Sequence, residues 1–486
     1  MLSSENRTML TREEFQPIYE QGFEAVWPVL EALQRTHQAL EARVKELEDR
    51  LGKDSHNSSK PPSSDGYKKK TRSLRENTGR KSGGQPGHPG KTLAFVAEPD
   101  ALVLHSPSHC TGCGASLAEV AGVQAERRQV LDLPPLAVVA TQHRSLHKSC
   151  PHCGKHNLGA FPEEVACGVS YGSNLKALAL YFHNYQLLPS ARIAQMFSDL
   201  FSATFSEGTL FSCQQKASSQ LEGFLAEVRT ALRAAPVDHF DETGLRVCGK
   251  LHWLHSASSE EATLYTCHPK RGKAGMESGG VLAEYSGVAV HDGWASYRNY
   301  GCGHALCNAH HLRELTALYE QEKQEWAQGM RSVLVAIKKS VQQSRAQGET
   351  HLPPEVVLDY QTRYQTLLTQ GFLANPQNLR VSEGKRGRTK QSKGYNLLTR
   401  LEQGKEEVLR FMYDFLVPFD NNLAERDIRR MKVQQKVSGG FRSVEGADAF
   451  CRIRSYISTV RKQGYSVLPA LQRLLLNNPL LTSRGA

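Results

Sequence analysis

The most restrictive feature of this sequence is a series of short, strand-like segments in its central part. VDHFDETGLRV, KLHWLHSAS and TLYTCHP are rich in β-branched and aromatic residues, and only CGK and SEEA separate them. Connections this short predict an antiparallel meander. A Gly-rich, helix-capable segment follows, then SGVAVHDGWASY, an apolar strand ending at Asp292, and HALCNAHHLREL, a strand running into a helix. This order predicts an α/β sheet.

Two acidic residues occupy related places in this series. Asp241 lies in the first strand and Asp292 ends the fourth, so the two would lie side by side in a sheet whose first and fourth strands are neighbours. Asp238 and Glu242 are further candidates. Because strand side chains alternate, Asp238 points to the face opposite Asp241, and position favours Asp241. Alternatively, DETG is a strand end with turn residues.

A third acidic cluster lies in VPFDNNLAERDIRR, directly before a basic stretch. Asn422 and Glu425 have the N-x-x-E spacing of a capping box, and Glu425 could also pair with Arg429 one turn later. If a helix begins near Asn422, Asp427 lies about 200° around it from Glu425, so these two carboxylates cannot serve one site. Asp420 precedes the helix and is a less favoured candidate for the site.

The residues after Asn422 predict a helix with two stripes. One stripe combines Glu425 with cations that could receive DNA phosphates, namely Arg429, Lys432 and Lys436. The neighbouring apolar stripe would anchor the helix to the sheet and consists of Ala424, Ile428 and Met431. Hard cations prefer oxygen ligands, and two Mg²⁺ ions about 4 Å apart can activate a hydroxyl nucleophile and stabilise the leaving oxygen of a phosphodiester. The acids of the three clusters are therefore candidate metal ligands.

Two Cys-x-x-Cys pairs, CTGC and CPHC, indicate a zinc site. The 11 cysteines are an odd number, and paired spacing in a reducing compartment favours metal over disulfides. Four thiolates form the closed tetrahedral set of one structural Zn²⁺, which lets a small segment fold. The predicted ligands are Cys110, Cys113, Cys150 and Cys153. Sequence of β type, such as LAVVATQH, separates the pairs, and His109, His147 and His152 are spare ligands.

The N-terminal region has a heptad pattern. One series of positions seven residues apart holds Val26, Leu33, Leu40 and Leu47. A second, interleaved series holds Leu30, His37, Val44 and Leu51. Charged residues fill the outside, which is typical of a leucine-zipper coiled coil joining two copies of the chain. The alternative is an amphipathic helix packed on its own domain.

The following segment is rich in Ser, Gly and Pro and carries a large excess of cations, so it cannot bury enough apolar surface to fold alone. We interpret it as a flexible basic arm that contacts DNA phosphates, although a solvated linker would have the same composition. The predicted contacts are Lys68, Lys69, Lys70, Arg72, Arg75, Arg80 and Lys81. A second basic loop, GKRGRTKQSKG, either contacts the DNA backbone or is a solvated loop. Its predicted DNA contacts are Lys385, Arg386, Arg388 and Lys390.

The length and charge of the chain agree with a DNA-binding protein of several domains. At 486 residues it is too long for one compact core, and 60 Lys and Arg against 49 Asp and Glu leave a net charge of +11. That excess favours a polyanionic partner. The N-terminus lacks an apolar signal core, and no run of about 18 uncharged apolar residues occurs. We expect a cytoplasmic protein with no membrane contact.

Six motifs together resemble the transposases of the insertion sequence 66 family, a bacterial DDE group with an RNase H-like catalytic core. They are DETG, HPKRG, HDGW, CNAHHLREL, VPFDNNLAERDIR and KVSGGFRS. A zipper helix, a basic arm and a zinc segment occur in that family in this order. The resemblance implies that Asp241, Asp292 and Glu425 form a catalytic triad holding two Mg²⁺ or Mn²⁺ ions. It also implies hydrolytic cleavage at the ends of a mobile element, followed by attack of the freed 3′-hydroxyl on target DNA.

Within CNAHH, Cys307 and His310 form a C-x-x-H element similar to one that follows the second Asp in other DDE groups. It would support the metal site or bind metal itself. Alternatively, these residues are a buried thiol and a histidine at a helix start.

Together these features predict a multidomain α/β protein: an RNase H-like core with a helical insertion, preceded by a coiled-coil helix and a small zinc-binding β segment. The predicted boundaries are 1–55 for the zipper, 56–100 for the arm, 101–165 for the zinc segment, 166–234 for a helical region, 235–311 and 411–462 for the core, 312–410 for the insertion and 463–486 for a helical tail. The expected partners are terminal inverted repeats, target DNA, further copies of the chain and small accessory proteins. Two alternatives stay open: a non-catalytic zinc-containing DNA-binding regulator, and a metal-dependent nuclease without strand transfer.

Overall fold

A computed structural model describes the chain in eight stretches, which are residues 12–54, 57–58, 93–123, 126–134, 136–162, 165, 168–379 and 389–480. The described residues form two compact units. The larger unit comprises those within 1–74, 173–188 and 211–486, and the smaller unit comprises those within 75–172 and 189–210. The Lys and Arg side chains predicted for the basic arm lie outside the described residues.

The described residues contain helices and two sheets. The helices are α1 (Arg12–Glu20), α2 (Phe23–Leu51), α3 (Ser173–Leu180), α4 (Ser190–Phe201), α5 (Glu207–Ser219), α6 (Glu222–Ala234), α7 (Lys273–Glu277), α8 (Asn308–Glu322), α9 (Glu325–Ala346), α10 (Pro354–Ala374), α11 (Lys393–Gln403), α12 (Lys405–Tyr413), α13 (Asn422–Ser438), α14 (Val444–Lys462) and α15 (Val467–Leu475). The strands are β1 (His147–Ser149), β2 (His156–Leu158), β3 (Val237–Val247), β4 (Lys250–Ser258), β5 (Thr263–His268), β6 (Val288–His291) and β7 (Gly303–Leu306). A π-helical turn, Tyr181–Tyr185, extends α3, and short 3₁₀ turns occupy Leu282–Glu284 and Ala295–Asn299.

The larger unit is built on a five-stranded sheet with the order β5-β4-β3-β6-β7. β3, β4 and β5 pair antiparallel, as the short connections predict, and β3–β6 and β6–β7 pair parallel. The first and fourth strands of the series are therefore neighbours. The β3–β4 hairpin turns at Cys248 and Gly249, whose φ angles of 50° and 73° are those of a tight turn that follows the right-handed twist of the strands.

Helices cover the sheet and bury its apolar side chains. On the β6–β7 side, Leu306 joins one core with Trp326 of α9, Tyr364 of α10 and Leu398 of α11. The segment 312–410, predicted to be mostly helical, supplies most of this core. On the β3–β5 side, β-strand residues join a second core with α13 and α14, which includes Leu245, Leu254, Ile428, Met431 and Phe450.

The predicted apolar stripe of α13 is confirmed. Ala424, Ile428 and Met431 are all buried. Ile428 and Met431 pack with Leu245 of β3 and Leu254 of β4, so the helix lies on the sheet by the face that the sequence indicated.

The heptad positions of α2 are exposed except for Val26, which is half-buried. Helix α2 continues without a break from Phe23 to Leu51, and the exposed fractions of its heptad leucines run from 44% at Leu47 to 82% at Leu51. These side chains do not pack into the described part of their own chain, which argues against the alternative of a helix packed on its own domain. No helix among the described residues combines the length and apolarity needed to cross a lipid bilayer.

The smaller unit has little regular structure between the two cysteine pairs. Its strands β1 and β2 are three residues each and pair antiparallel, with His147 opposite Leu158. The expectation that LAVVATQH forms strand structure is wrong, because these residues have no ladder partner among the described residues. Val139 is 87% exposed, so apolar β-type composition without a partner strand does not make a strand here.

Asp427 ties α13 to the sheet through a buried polar network. Its Oδ2 accepts hydrogen bonds from Ser258 Oγ at 2.9 Å and Thr263 Oγ1 at 3.1 Å, and Lys462 Nζ lies 3.0 Å away. The Asp427 and Lys462 side chains are each only 13% exposed. Helix α14 also protects the edge strand β5, because Ser455 Oγ accepts the amide hydrogen of Tyr265.

Replacing Asp427 by alanine should lower the free energy of unfolding of the larger unit by about 3–5 kcal/mol, since Lys462 would stay buried without its partner. Urea denaturation followed by tryptophan fluorescence measures this change. The matched control is Asp359→Ala, which breaks an exposed pair with Arg363 and should cost less than about 1 kcal/mol. Equal losses in the two variants would contradict the assignment of Asp427 to the fold.

Candidate active site

The pairing of β3 with β6 places two predicted acids at neighbouring positions. The register pairs Val237 with Val288 and His239 with Val290. The same register, continued past the last paired residues, sets Asp241 opposite Asp292. Asp241 lies within β3, and Asp292 directly follows β6.

The third acid, Glu425, lies in the first turn of α13 and acts on Asp241 electrostatically. Burial, together with the negative charges of Glu242, Asp292 and Glu425, raises the pKa of Asp241 to about 8. Crowded carboxylates of this kind are offset by a bound cation, which restores their ionised forms. One oxygen of Glu425, Oε1, is buried without a hydrogen-bond partner. Carboxylate oxygens are the ligands that a hard divalent metal ion takes, so the three acids fit such an ion by their chemistry, and among the described residues their oxygens do not all lie within 4.8 Å of one another.

Asn421, which the sequence reading did not single out, fixes the start of α13. Its side chain accepts a hydrogen bond from His239 Nδ1 at 2.8 Å and donates one to the Phe240 carbonyl at 2.9 Å. Its backbone N–H donates to Cys307 Sγ at 3.2 Å. These contacts hold the first turn of α13, and hence Glu425, against β3. The two adjacent asparagines in FDNN were the sequence feature that could have indicated this helix start.

The predicted capping box does not form. Helix α13 begins one residue earlier than that motif requires, because Asn421 is the N-cap and Asn422 is the first helical residue. The Asn421 side chain is committed to the sheet and caps no amide. Glu425 Oε1 instead lies 3.7 Å from His310 Nε2 and 3.8 Å from Arg313 Nη2, and among the described residues no ion pair joins Glu425 to Arg429.

The remaining acids have other surroundings. Asp238 is fully buried on the opposite face, as strand alternation predicts, and burial raises its pKa well above the ordinary value. Asp420 lies 3.6 Å from Lys338 Nζ. Asp427 faces the sheet, away from Glu425, as the helical angle predicted.

The Glu242 carboxylate is hydrogen-bonded within a polar cluster that the sequence did not predict. Its Oε1 accepts hydrogen bonds from Arg271 Nη2 at 2.7 Å, and its Oε2 accepts one from the Tyr297 hydroxyl at 2.7 Å. The Arg271 guanidinium lies over the rings of Trp294 and Trp253, at 4.1 and 4.9 Å from their centroids. The HPKRG and HDGW motifs thus supply Arg271 and Trp294 to support the strand segment that carries Asp241.

Cys307 and His310 lie beside Glu425. Their sulfur and nitrogen atoms and a Glu425 oxygen lie within 4.8 Å of one another, the one such group of three potential metal ligands among the described residues. Burial raises the pKa of the Cys307 thiol to about 12. Burial, together with the Arg313 charge, lowers the pKa of His310, so its ring is neutral near pH 7.

The basic residues predicted to meet DNA are only partly within the described chain. Arg429, Lys432 and Lys436 are exposed on α13. Lys432 Nζ reaches the Gly244 carbonyl at 3.3 Å, so this cation lies beside the strand that carries Asp241. Lys390 is exposed, whereas Lys385, Arg386 and Arg388 lie outside the described residues.

The two cysteine pairs form matching turns in the smaller unit. Cys110 N–H donates to the Ala115 carbonyl at 2.8 Å, and Cys150 N–H donates to the Lys155 carbonyl at 2.9 Å. The amides of Cys113 and Gly112 donate to the Cys110 thiol and lower its pKa, which favours the thiolate that binds zinc. The second turn lowers the pKa of Cys150 in the same way. Among the described residues, no three of these thiols lie within 4.8 Å of one another.

Comparison with known families decides the classification. A model described as "Transposase IS66 family" matches residues 168–449, which is more than half of the chain and includes Asp241, Asp292 and Glu425. The chain belongs to the IS66 transposase family. A second model, "zinc-finger binding domain of transposase IS66", matches residues 107–154, where both cysteine pairs of this IS66 transposase lie. A third, a family of unknown function (DUF6444), matches residues 10–94. No curated protein matches the chain.

Replacing Cys150 by serine should weaken zinc binding in the smaller unit enough for dialysis against a chelator to remove the ion, because a structural site depends on all four of its ligands. The full-length protein should carry zinc at the cysteine turns as purified, and elemental analysis after dialysis should find one ion fewer in the variant. Cys248→Ser, at an exposed cysteine of the larger unit, is the control and should keep the full zinc content. An unchanged zinc content in Cys150→Ser would refute the assignment.

Proposed function

We propose that this IS66 transposase is a DDE enzyme that cleaves the ends of a bacterial mobile element and transfers the freed 3′-hydroxyl ends to target DNA. The observation that supports the proposal is the β3–β6 register, which, when continued, sets Asp241 opposite Asp292, together with the effect of Glu425 in α13 on Asp241. The strand order β5-β4-β3-β6-β7 supports an RNase H-like core.

In this proposal the three carboxylates hold two Mg²⁺ or Mn²⁺ ions, which activate the attacking oxygen and stabilise the leaving oxygen at phosphorus. The protein's own part is positioning. The β3–β6 register fixes Asp241 beside Asp292, and Asn421 holds the first turn of α13 so that Glu425 faces them. The Glu242–Arg271 pair keeps a neighbouring carboxylate out of the metal site. One site can serve cleavage and strand transfer in turn, because both are in-line displacements.

The DNA would approach along the basic face of α13. Arg429, Lys432 and Lys436 lie on the exposed side of the helix that carries Glu425, so phosphates bound there would pass the three carboxylates. The basic arm and the loop around Lys390 would add contacts that do not depend on base sequence.

The exposed heptad positions of α2 support self-association of the transposase. A helix of 29 residues with an apolar seam open to solvent gains stability by pairing with a second copy. Two copies would bring the two element ends together. Accessory proteins of the element would join this assembly in the bacterial cytoplasm.

With Mg²⁺ or Mn²⁺, the purified protein should nick DNA bearing its element's terminal repeats and join the 3′ ends to a target. Asp292→Asn should abolish both steps and keep DNA binding, because one oxygen ligand is lost without a change of shape. Gel assays of nicking, joining and binding measure the three quantities separately. Asp359→Asn, at an exposed acid of α10, is the control and should retain activity.

Nicking by Asp292→Asn at the wild-type rate would refute the site. Nicking without joining in the wild type would identify a nuclease, and binding without nicking at any divalent metal would identify a regulator.

Removing the charge of the arm should weaken DNA binding and flatten its dependence on salt. Exchanging the seven arm cations between Lys68 and Lys81 for glutamine should reduce the slope of log K against log salt by up to about 6 for duplex DNA. The control exchanges each Lys for Arg and each Arg for Lys, which conserves charge and should keep the slope. An unchanged slope in the glutamine variant would exclude phosphate contacts by the arm.

A further inference from the structure

Three side chains next to the proposed catalytic site form a ligand set of different chemistry. Cys307, His310 and Glu425 bring a sulfur, an imidazole nitrogen and a carboxylate oxygen within 4.8 Å of one another. We propose that they form a second metal site, which takes Zn²⁺ or a similar borderline-soft ion and withdraws Glu425 from the Mg²⁺ site. Only the effect on Glu425 rests on the proposed function, because zinc binding itself does not require catalysis.

The backbone presents the three ligands from two helix starts. Cys307 precedes the first residue of α8 and His310 lies in its first turn, a spacing that puts both side chains on one side. The Cys307 amide donates to the His291 carbonyl at 2.9 Å, which ties this helix start to the end of β6. Glu425 enters from α13, and the Asn421 amide donates to Cys307 Sγ at 3.2 Å. This hydrogen bond joins the start of α13 to the start of α8 at the Cys307 sulfur.

The spacing of the ligand atoms is close to that of a zinc site. Bonds of about 2.0–2.3 Å in a tetrahedron separate ligand atoms by about 3.3–3.8 Å. His310 Nε2 already lies 3.7 Å from Glu425 Oε1, and no separation within the set exceeds 4.8 Å. Closure on an ion therefore needs side-chain movements of about 1 Å. The same Oε1 atom is buried and has no hydrogen-bond partner among the described residues.

The chemistry of the set selects against Mg²⁺. A thiolate, an imidazole and one carboxylate suit zinc and cobalt, whereas Mg²⁺ requires oxygen ligands. The thiol proton of Cys307 leaves to solvent as the sulfur–metal bond forms. Three protein ligands leave a fourth position open to water.

Arg313 limits the affinity of this site. Its Nη2 lies 3.8 Å from Glu425 Oε1, so a bound cation competes with the guanidinium for that oxygen. The four cysteines of the smaller unit offer four thiolates. Zinc should therefore load the cysteine turns first and the Cys307 site second.

The test measures zinc content and sulfur–metal bonding in the full-length protein. At a free Zn²⁺ concentration that saturates wild type, elemental analysis should find two zinc ions per chain in wild type and one in Cys307→Ser. His310→Gln, at a less buried position, guards against a folding defect and should also retain one ion. Cys302→Ser, at another buried cysteine, is the control and should keep two. Each ligand variant should weaken the second site by more than the roughly 10–100-fold that loss of a residue supporting a ligand costs.

Cobalt provides an independent readout. The sulfur-to-cobalt charge-transfer absorbance of the Co²⁺-loaded protein should fall by about a fifth in Cys307→Ser, the share of one thiolate beside the four of the cysteine turns. A single zinc ion in wild type, or two in Cys307→Ser with undiminished cobalt absorbance, would overturn the proposal.

Inhibition separates this inference from the proposed function. Nicking by wild type should fall as the second zinc ion binds, and added Mg²⁺ should restore it. Each nicking rate is expressed relative to the rate of the same protein without zinc. Two bound zinc ions in a protein that never nicks would support the metal site and refute the proposed function. Nicking unaffected by the second zinc ion would overturn the competition for Glu425.

Discussion

The parallel pairing of β3 with β6 is the constraint on which the candidate site depends. Its register sets Asp241 opposite Asp292 although many residues separate them in the chain. Placing Asp241 there is costly, because its own burial and the negative charges around it both penalise its charged form, as its raised pKa reflects. An arrangement that costs stability in the metal-free protein is understandable if a cation occupies it in the working state.

The fold meets this cost by fixing the surroundings of the acids. Asn421 joins the start of α13 to β3, Asp427 joins its next turn to β4, β5 and α14, and Arg271 neutralises Glu242. Each carboxylate near the site therefore has a distinct role set by its partners. Glu425 differs in keeping a buried oxygen without a hydrogen bond, and two functions proposed here compete for that oxygen.

The sequence predicted strands and helices correctly where buried residues recur with the regular spacing of a strand or a helix. The strand segments VDHFDETGLRV and KLHWLHSAS coincide with β3 and β4, and the apolar stripe of α13 is buried where the helical period places it. Alternation along a strand and rotation around a helix also separated Asp238 and Asp427 from the site. These deductions need only backbone geometry.

Contacts between residues that lie far apart in the sequence could not be predicted from these spacings. Asn422 and Glu425 matched a capping box, but the His239 and Phe240 contacts made Asn421 the helix boundary instead. The cluster of Glu242 with Arg271 and Tyr297 likewise depends on three separate segments meeting. LAVVATQH has strand propensity but pairs with no strand in the described part of the chain.

Iron-mediated cleavage of the polypeptide tests the central claim most directly. Fe²⁺ bound in place of Mg²⁺ reduces added hydrogen peroxide to hydroxide and a hydroxyl radical that cuts the backbone next to the ion, and ascorbate returns the Fe³⁺ to Fe²⁺. If Asp241, Asp292 and Glu425 hold the metal ions, the cuts should fall near these three residues, and excess Mg²⁺ should suppress them. Mg²⁺-protected cuts that miss any of the three segments would contradict the account.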